Sequence, residues 1–223
     1  MTKQTGNKNK PRKPFKGTSI FKITPIKDKT LQKYKEEAMK DLNEFFGKNW
    51  VYNTPKIFVI DDRKGIDLFE EKETEDWVVG FSFGNRAVVI LNPDNISEES
   101  CHNGSSYDIA KLIKHELCHL FFRLKFGLSN FRWINEGVSL YVAGQLDKYP
   151  MPNKFDGFLD GNVKKIYQES GNAIKLIMDN YGKDKLFEFL EKQRDVKRSD
   201  NLRRVFEEVF GEPLGYEFFN RLV

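Results

Sequence analysis

The chain has 223 residues, with 37 Lys and Arg against 33 Asp and Glu and a formal net charge of +4. That length buries one substantial core and fits a single domain; no run of about 18 apolar residues occurs, which argues against a membrane-spanning helix. The two cysteines, Cys101 and Cys118, are too few for a disulfide framework and lack the paired spacing of a zinc ribbon, so both are expected reduced.

The charge is unevenly placed. Residues 1–17 hold Lys3, Lys8, Lys10, Arg12, Lys13 and Lys16 and no acid, and the remainder is slightly acidic. This stretch leads into no apolar segment, so it is no signal peptide and the setting is read as cytoplasmic. It reads as a disordered, solvated tail, and weak binding to polyanions through it is the only nucleic-acid contact expected.

From Lys29 to Gly47, Leu31, Tyr34, Ala38, Leu42, Phe45 and Phe46 recur at helical spacing, with Gly47 as the stop. Three strand candidates follow: KIFVI (56–60), WVVGFSF (77–83) and RAVVIL (86–91), the last two joined by a turn at Gly84 and Asn85. RAVVIL is either an exposed edge that an extended peptide could join or an interior strand. A polar loop then leads to a helix starting near Asp108, with Ser105 or Asp108 as its cap and Gly127 as its end. INEGVSLYVAGQL reads as another helix, and from about residue 163 the spacing is helical, punctuated by Gly171, Gly182 and Gly211. A helix, then strands, then helices only predicts an α+β fold: a small, mostly antiparallel sheet followed by a helical C-terminal half.

The helix after Asp108 carries KHELCHLFF (114–122), which contains two of the chain's three histidines. Residues four apart on a helix lie one turn up and about 40° round, so His115 and His119 can aim both imidazoles at one point suited to Zn2+. Glu116, rotated about 100° from His115, is placed to reach a water beside the ion as general base. Ile109, Leu112, Ile113, Leu117, Leu120 and Leu124 form an apolar stripe with the histidines on its margin. A catalytic zinc site takes three protein ligands. No histidine follows His119, so the third is an upstream histidine or a carboxylate, and Glu136 stands seventeen residues on, at the start of the next helix.

Here the sequence resembles the gluzincin metallopeptidases of the peptidase MA type. In those enzymes HExxH is followed by a second helix bearing the third ligand, and WINEGVSLY (133–141) is similar to the W-x-N-E-G-x-A-x-Y pattern of the aminopeptidase N-like branch, with Ser139 in place of alanine. The resemblance implies a zincin-like domain over 18–223, with an α/β lobe to about 127 and a helical lobe beyond. It also implies zinc ligation by His115, His119 and Glu136, with Glu116 as base. The stretch IYQESGNAIKLIMDNYGKDKLFEFL is similar to the tyrosine-containing segment of that branch, which would make Tyr167 the donor to the oxyanion. Its spacing to Gly171 departs by one residue from Y-x-K-G, and a core tyrosine is the alternative.

The resemblance implies a peptidase acting as a monomer on peptides or proteins. GFSFGN (80–85) lacks the acid with which aminopeptidases of the branch hold an α-amine, so an endopeptidase is favoured. The other reading is an inactive gluzincin-like domain that binds peptides. GVSL after Glu136 lacks the Ser-Asp pair of thermolysin-like enzymes, which leaves the partners of the histidines unassigned. His102 is read as a solvated loop residue, with oxyanion or zinc binding as its functional alternative.

Overall fold

The computed structural model describes residues 23–223. The basic tail at 1–17 lies outside the described residues. The first half runs α1 (Lys29–Phe46), β1 (Lys56–Ile60), α2 (Arg63–Glu70), β2 (Gly80–Phe83), β3 (Ala87–Leu91) and the short α3 (Ile96–Glu99). The second half is helical: α4 (Ile109–Phe126), α5 (Arg132–Val142), α6 (Val163–Lys192), α7 (Ser199–Phe210) and α8 (Tyr216–Leu222). The fold is thus α+β, with α2 and α3 added to the elements expected.

The three strands pair in the order β1-β3-β2. β2 and β3 are joined by Gly84–Arg86, a connection that permits only an antiparallel pair. β1 runs parallel to β3: the Lys56 N–H donates to Arg86 O (2.8 Å), and the Asn92 N–H donates to Ile60 O (2.7 Å). The sheet is therefore mixed, where a mostly antiparallel one was expected. A parallel pair needs a crossover, and the chain from α2 through β2 supplies it. RAVVIL is consequently the central strand. Val88, Val89, Ile90 and Leu91 are fully buried, so the edge-strand reading of this segment fails and the interior reading holds.

By its contacts the chain divides into two compact units. One takes in the described residues up to Lys27 with Val59–Val79 and Ile90–Tyr107; the other comprises Asp28–Phe58, Gly80–Val89 and Asp108–Val223. In the first, the Arg63 guanidinium donates to Glu99 O, Glu75 O and Asp76 O, tying α2 to the loops that follow it. His102 hydrogen-bonds Trp77 O through Nε2 (2.9 Å) and rests 4.8 Å from the Tyr107 ring, so it is half-buried rather than solvated.

The second unit is organised by α4. Asp108 caps it by accepting from the Lys111 N–H (2.9 Å), and Gly127 at φ +79° ends it. The helix is buried over most of its circumference: Cys118, Phe121, Phe122 and Phe126 are enclosed as fully as the expected stripe, while Leu124 of that stripe is half exposed. Phe46 at the end of α1 stacks on Phe121 (5.7 Å) and lies 6.1 Å from Phe126. Each such buried phenylalanine contributes roughly 1.5–3 kcal/mol, more than a typical hydrogen bond, so apolar packing fixes the helix from behind.

On its other side α4 meets α5, and α5 meets α6 at very short range. A Cβ at Gly137 would stand 2.7 Å from Ser170 O, and one at Gly171 would stand 2.9 Å from Leu140 Cβ. Gly171 therefore does not interrupt α6 but lets the two backbones approach; the break falls at Gly182 (φ +78°, ψ 173°). Because Gly137 follows Glu136, this contact also sets the rotation at which α5 presents its carboxylate.

Candidate metal centre

His115 and His119 sit one turn apart on α4, and Glu136 lies one turn after Arg132, the first residue of α5. One ligand atom from each lies within 4.8 Å of the other two, close enough to hold a metal ion. His115 Nε2 is 3.1 Å from His119 Nε2, and Glu136 Oε2 is 3.4 Å from the first and 3.9 Å from the second. All three residues are largely buried, at 8%, 9% and 13% side-chain exposure. The structure thus brings together the whole expected ligand set.

The remaining ring nitrogens determine what these atoms can do. His115 Nδ1 faces Gln145 Oε1 at 2.8 Å, in the 3-10 turn Gln145–Lys148. His119 Nδ1 faces Asn135 Oδ1 at 3.1 Å and Ser139 Oγ at 3.0 Å. A carboxamide oxygen only accepts, so each Nδ1 donates its proton to the oxygen it faces, which leaves each Nε2 as the ring atom available to a metal ion. Glu136 Oε2 is itself buried without a well-formed hydrogen bond. Two imidazole nitrogens and a carboxylate oxygen converging in a buried space favour a positive centre between them.

The titration behaviour follows. Burial pushes His119 down to about 4, keeping it neutral. Burial also pushes His115 down, but Glu136 and Glu116 beside it more than compensate and raise it. For Glu136, burial favours the neutral acid, yet the adjacent imidazoles prevail and bring it down to about 2. Without another cation, a proton on His115 fills the gap; a metal ion would replace it.

Glu116 is 6% exposed. Burial raises its carboxyl to about 7, His115 opposing the shift and Glu136 reinforcing it. The Tyr167 hydroxyl accepts from Arg132 Nη2 (3.0 Å), and Arg132 Nε lies 3.7 Å from Glu136 Oε1. Tyr167 is thereby connected to the ligand cluster through an arginine that the sequence reading did not single out. Burial and the charge of Glu136 raise its hydroxyl above the ordinary tyrosine value. Cys118 is fully buried, and burial pushes its thiol to about 12.

Four further site residues escaped the sequence reading. Asn135 and Ser139 lie inside the WINEGVSLY string, one before and three after Glu136, where only their side-chain chemistry hinted at a role. Arg132 stands one turn before Glu136, and its i,i+4 spacing was a usable signal. Gln145 belongs to a separate turn, and nothing local marked it. No family model, curated protein or solved structure matches the chain.

Proposed function

We propose that the chain is a zinc-dependent peptidase of the gluzincin type, with a zincin-like domain built around α4 and α5. Two imidazole nitrogens and one carboxylate oxygen form a donor set that suits zinc. One observation carries the reading. Ligand atoms 2.0–2.1 Å from a tetrahedral ion stand about 3.3 Å apart, and the three separations here are 3.1, 3.4 and 3.9 Å. The HELCH and WINEGVSLY strings support it independently. Both cysteines are free, one exposed and one buried, and among the described residues no helix is long and apolar enough to cross a membrane.

His115, His119 and Glu136 would hold the ion, with Gln145 and Asn135 orienting the imidazoles. When bound, zinc supplies Lewis acidity, acidifying a water and polarising a carbonyl oxygen. Glu116 takes a proton from the attacking water and passes it to the nitrogen as the peptide C–N bond breaks. Its burial prepares it for both steps, because a carboxyl held near neutrality gains and loses a proton readily. Tyr167, positioned by Arg132, donates to the oxygen that develops negative charge. An endopeptidase is favoured, since GFSFGN at the edge strand β2 offers no acid for a substrate α-amine.

The test is a proteolysis screen comparing the wild type with Glu116→Gln. The reading requires hydrolysis by the wild type and its near-complete loss in the variant. Absence of hydrolysis by both zinc-loaded proteins would move the reading to an inactive domain of the same architecture, and equal hydrolysis by both would remove Glu116 as the base.

A further inference from the structure

Leu120, Arg123 and Leu124 stand four, seven and eight residues after Glu116, the spacing that aligns side chains on one helical face. They form one wall of a cleft of about 640 Å3. The segment after α1 contributes Lys48, Trp50 and Tyr52, and the β2–β3 turn contributes Asn85 and Arg86. At 1.5 Å per residue, these wall residues lie roughly 6 to 12 Å along the axis from Glu116. An extended peptide covers that distance in about two to four residues.

The lining has a definite chemistry. Lys48, Arg86 and Arg123 face the cleft and no Asp or Glu does, although the chain beyond residue 17 carries slightly more acid than base. Arg123 is committed to the hairpin, donating to Gly84 O (2.7 Å) and to Ser82 Oγ, so it offers chiefly its charge. The Lys48 ammonium and Arg86 guanidinium have no carboxylate partner among the described residues. Trp50 is anchored against Phe121 (5.2 Å), while Tyr52 is 83% exposed. Two uncommitted cations beside two aromatic rings suit a carboxylate on an aliphatic stem, the rings covering the stem and the cations meeting its end.

We propose that this cleft is a subsite for acidic side chains of a peptide substrate, two to four residues from the bond to be cut; the assignment rests on the peptidase reading. The surplus acid of the rest of the chain disfavours a long polyanion, which must be neutralised over many phosphates. A short acidic peptide needs only the charges present.

The experiment uses the full chain carrying Glu116→Gln, which arrests turnover, and two labelled hexapeptides that differ only in having Glu or Gln at the outer positions. At low salt the Glu peptide binds about tenfold more tightly than the Gln peptide, the combined size of two screened ion pairs. Adding Lys48→Glu and Arg86→Glu, both on exposed side chains, removes the difference while melting temperature and zinc content stay unchanged. The N-terminal tail is common to all these proteins, so any preference it gives for the Glu peptide survives the double reversal and is told apart from that of the cleft. Equal binding of the two peptides, or a preference that survives the double reversal, overturns the proposal. So does a short DNA duplex that displaces the Glu peptide and binds more tightly, with the same dependence on Lys48 and Arg86. Acid-selective binding without hydrolysis by the wild type upholds the cleft and refutes the peptidase; hydrolysis without acid selectivity does the reverse.

Discussion

Gln145→Leu isolates the part of the metal centre that the ligands do not supply themselves. Gln145 is 6% exposed and its Oε1 accepts from His115 Nδ1 at 2.8 Å. Leucine fills a similar volume but leaves that buried N–H without an acceptor, at a cost of about 1–3 kcal/mol. The imidazole can escape the cost by moving its proton to Nε2, which blocks the ligand atom, or by turning away from the site. Either response weakens metal binding, and loss of such a partner typically costs 10- to 100-fold in affinity, equivalent to about 1.4–2.7 kcal/mol. Competition for zinc against a chromophoric chelator at neutral pH measures this directly. Gln145→Glu, which restores an acceptor, should recover most of the affinity, and melting of the metal-free proteins separates the effect from a general loss of fold. An affinity for the leucine variant within twofold of wild type would refute the role of Gln145.

Three further outcomes are expected. Gly137→Ala drives a methyl group into Ser170 O and Ile174 Cγ1, at 2.7 and 2.9 Å, and the carbonyl cannot yield without moving α6; overpacking of this kind costs roughly 1–3 kcal/mol, seen as a lower denaturant midpoint. Tyr167→Phe keeps the ring but removes the hydroxyl held by Arg132, and kcat should fall about 10²- to 10³-fold with KM little changed; an unchanged kcat excludes the oxyanion role. A thiol reagent applied to the native protein at mildly alkaline pH should label one cysteine quickly, the exposed Cys101, while Cys118 reacts only on unfolding. The thiolate is the reactive form, and a thiol raised to about 12 carries almost none of it until the pH nears that value.

What the sequence disclosed and what it hid divide along the range of the interactions. The helical spacing of His115 and His119 is local geometry, and Glu136 lies near the start of the next helix, so the ligand set was legible before any fold was known. The caps of α4 were legible for the same reason, because Asp108 and Gly127 act on backbone groups within one turn. Gln145 reaches His115 across 30 residues from a turn with no periodicity, and its role depends on how α5 ends. The parallel pairing of β1 with β3 is likewise non-local. KIFVI and RAVVIL look alike as strands, and only the intervening crossover fixes their relative direction. Gly171 misled because glycine ends helices more often than it packs them; its value here is the missing Cβ facing Leu140.

Metal analysis of the purified full chain tests the central claim most directly. The account predicts one zinc ion per wild-type chain and almost none in His115→Ala or Glu136→Ala, with all three proteins folded. A folded wild type that takes up no divalent ion when zinc is supplied, or an undiminished zinc content in Glu136→Ala, would contradict it.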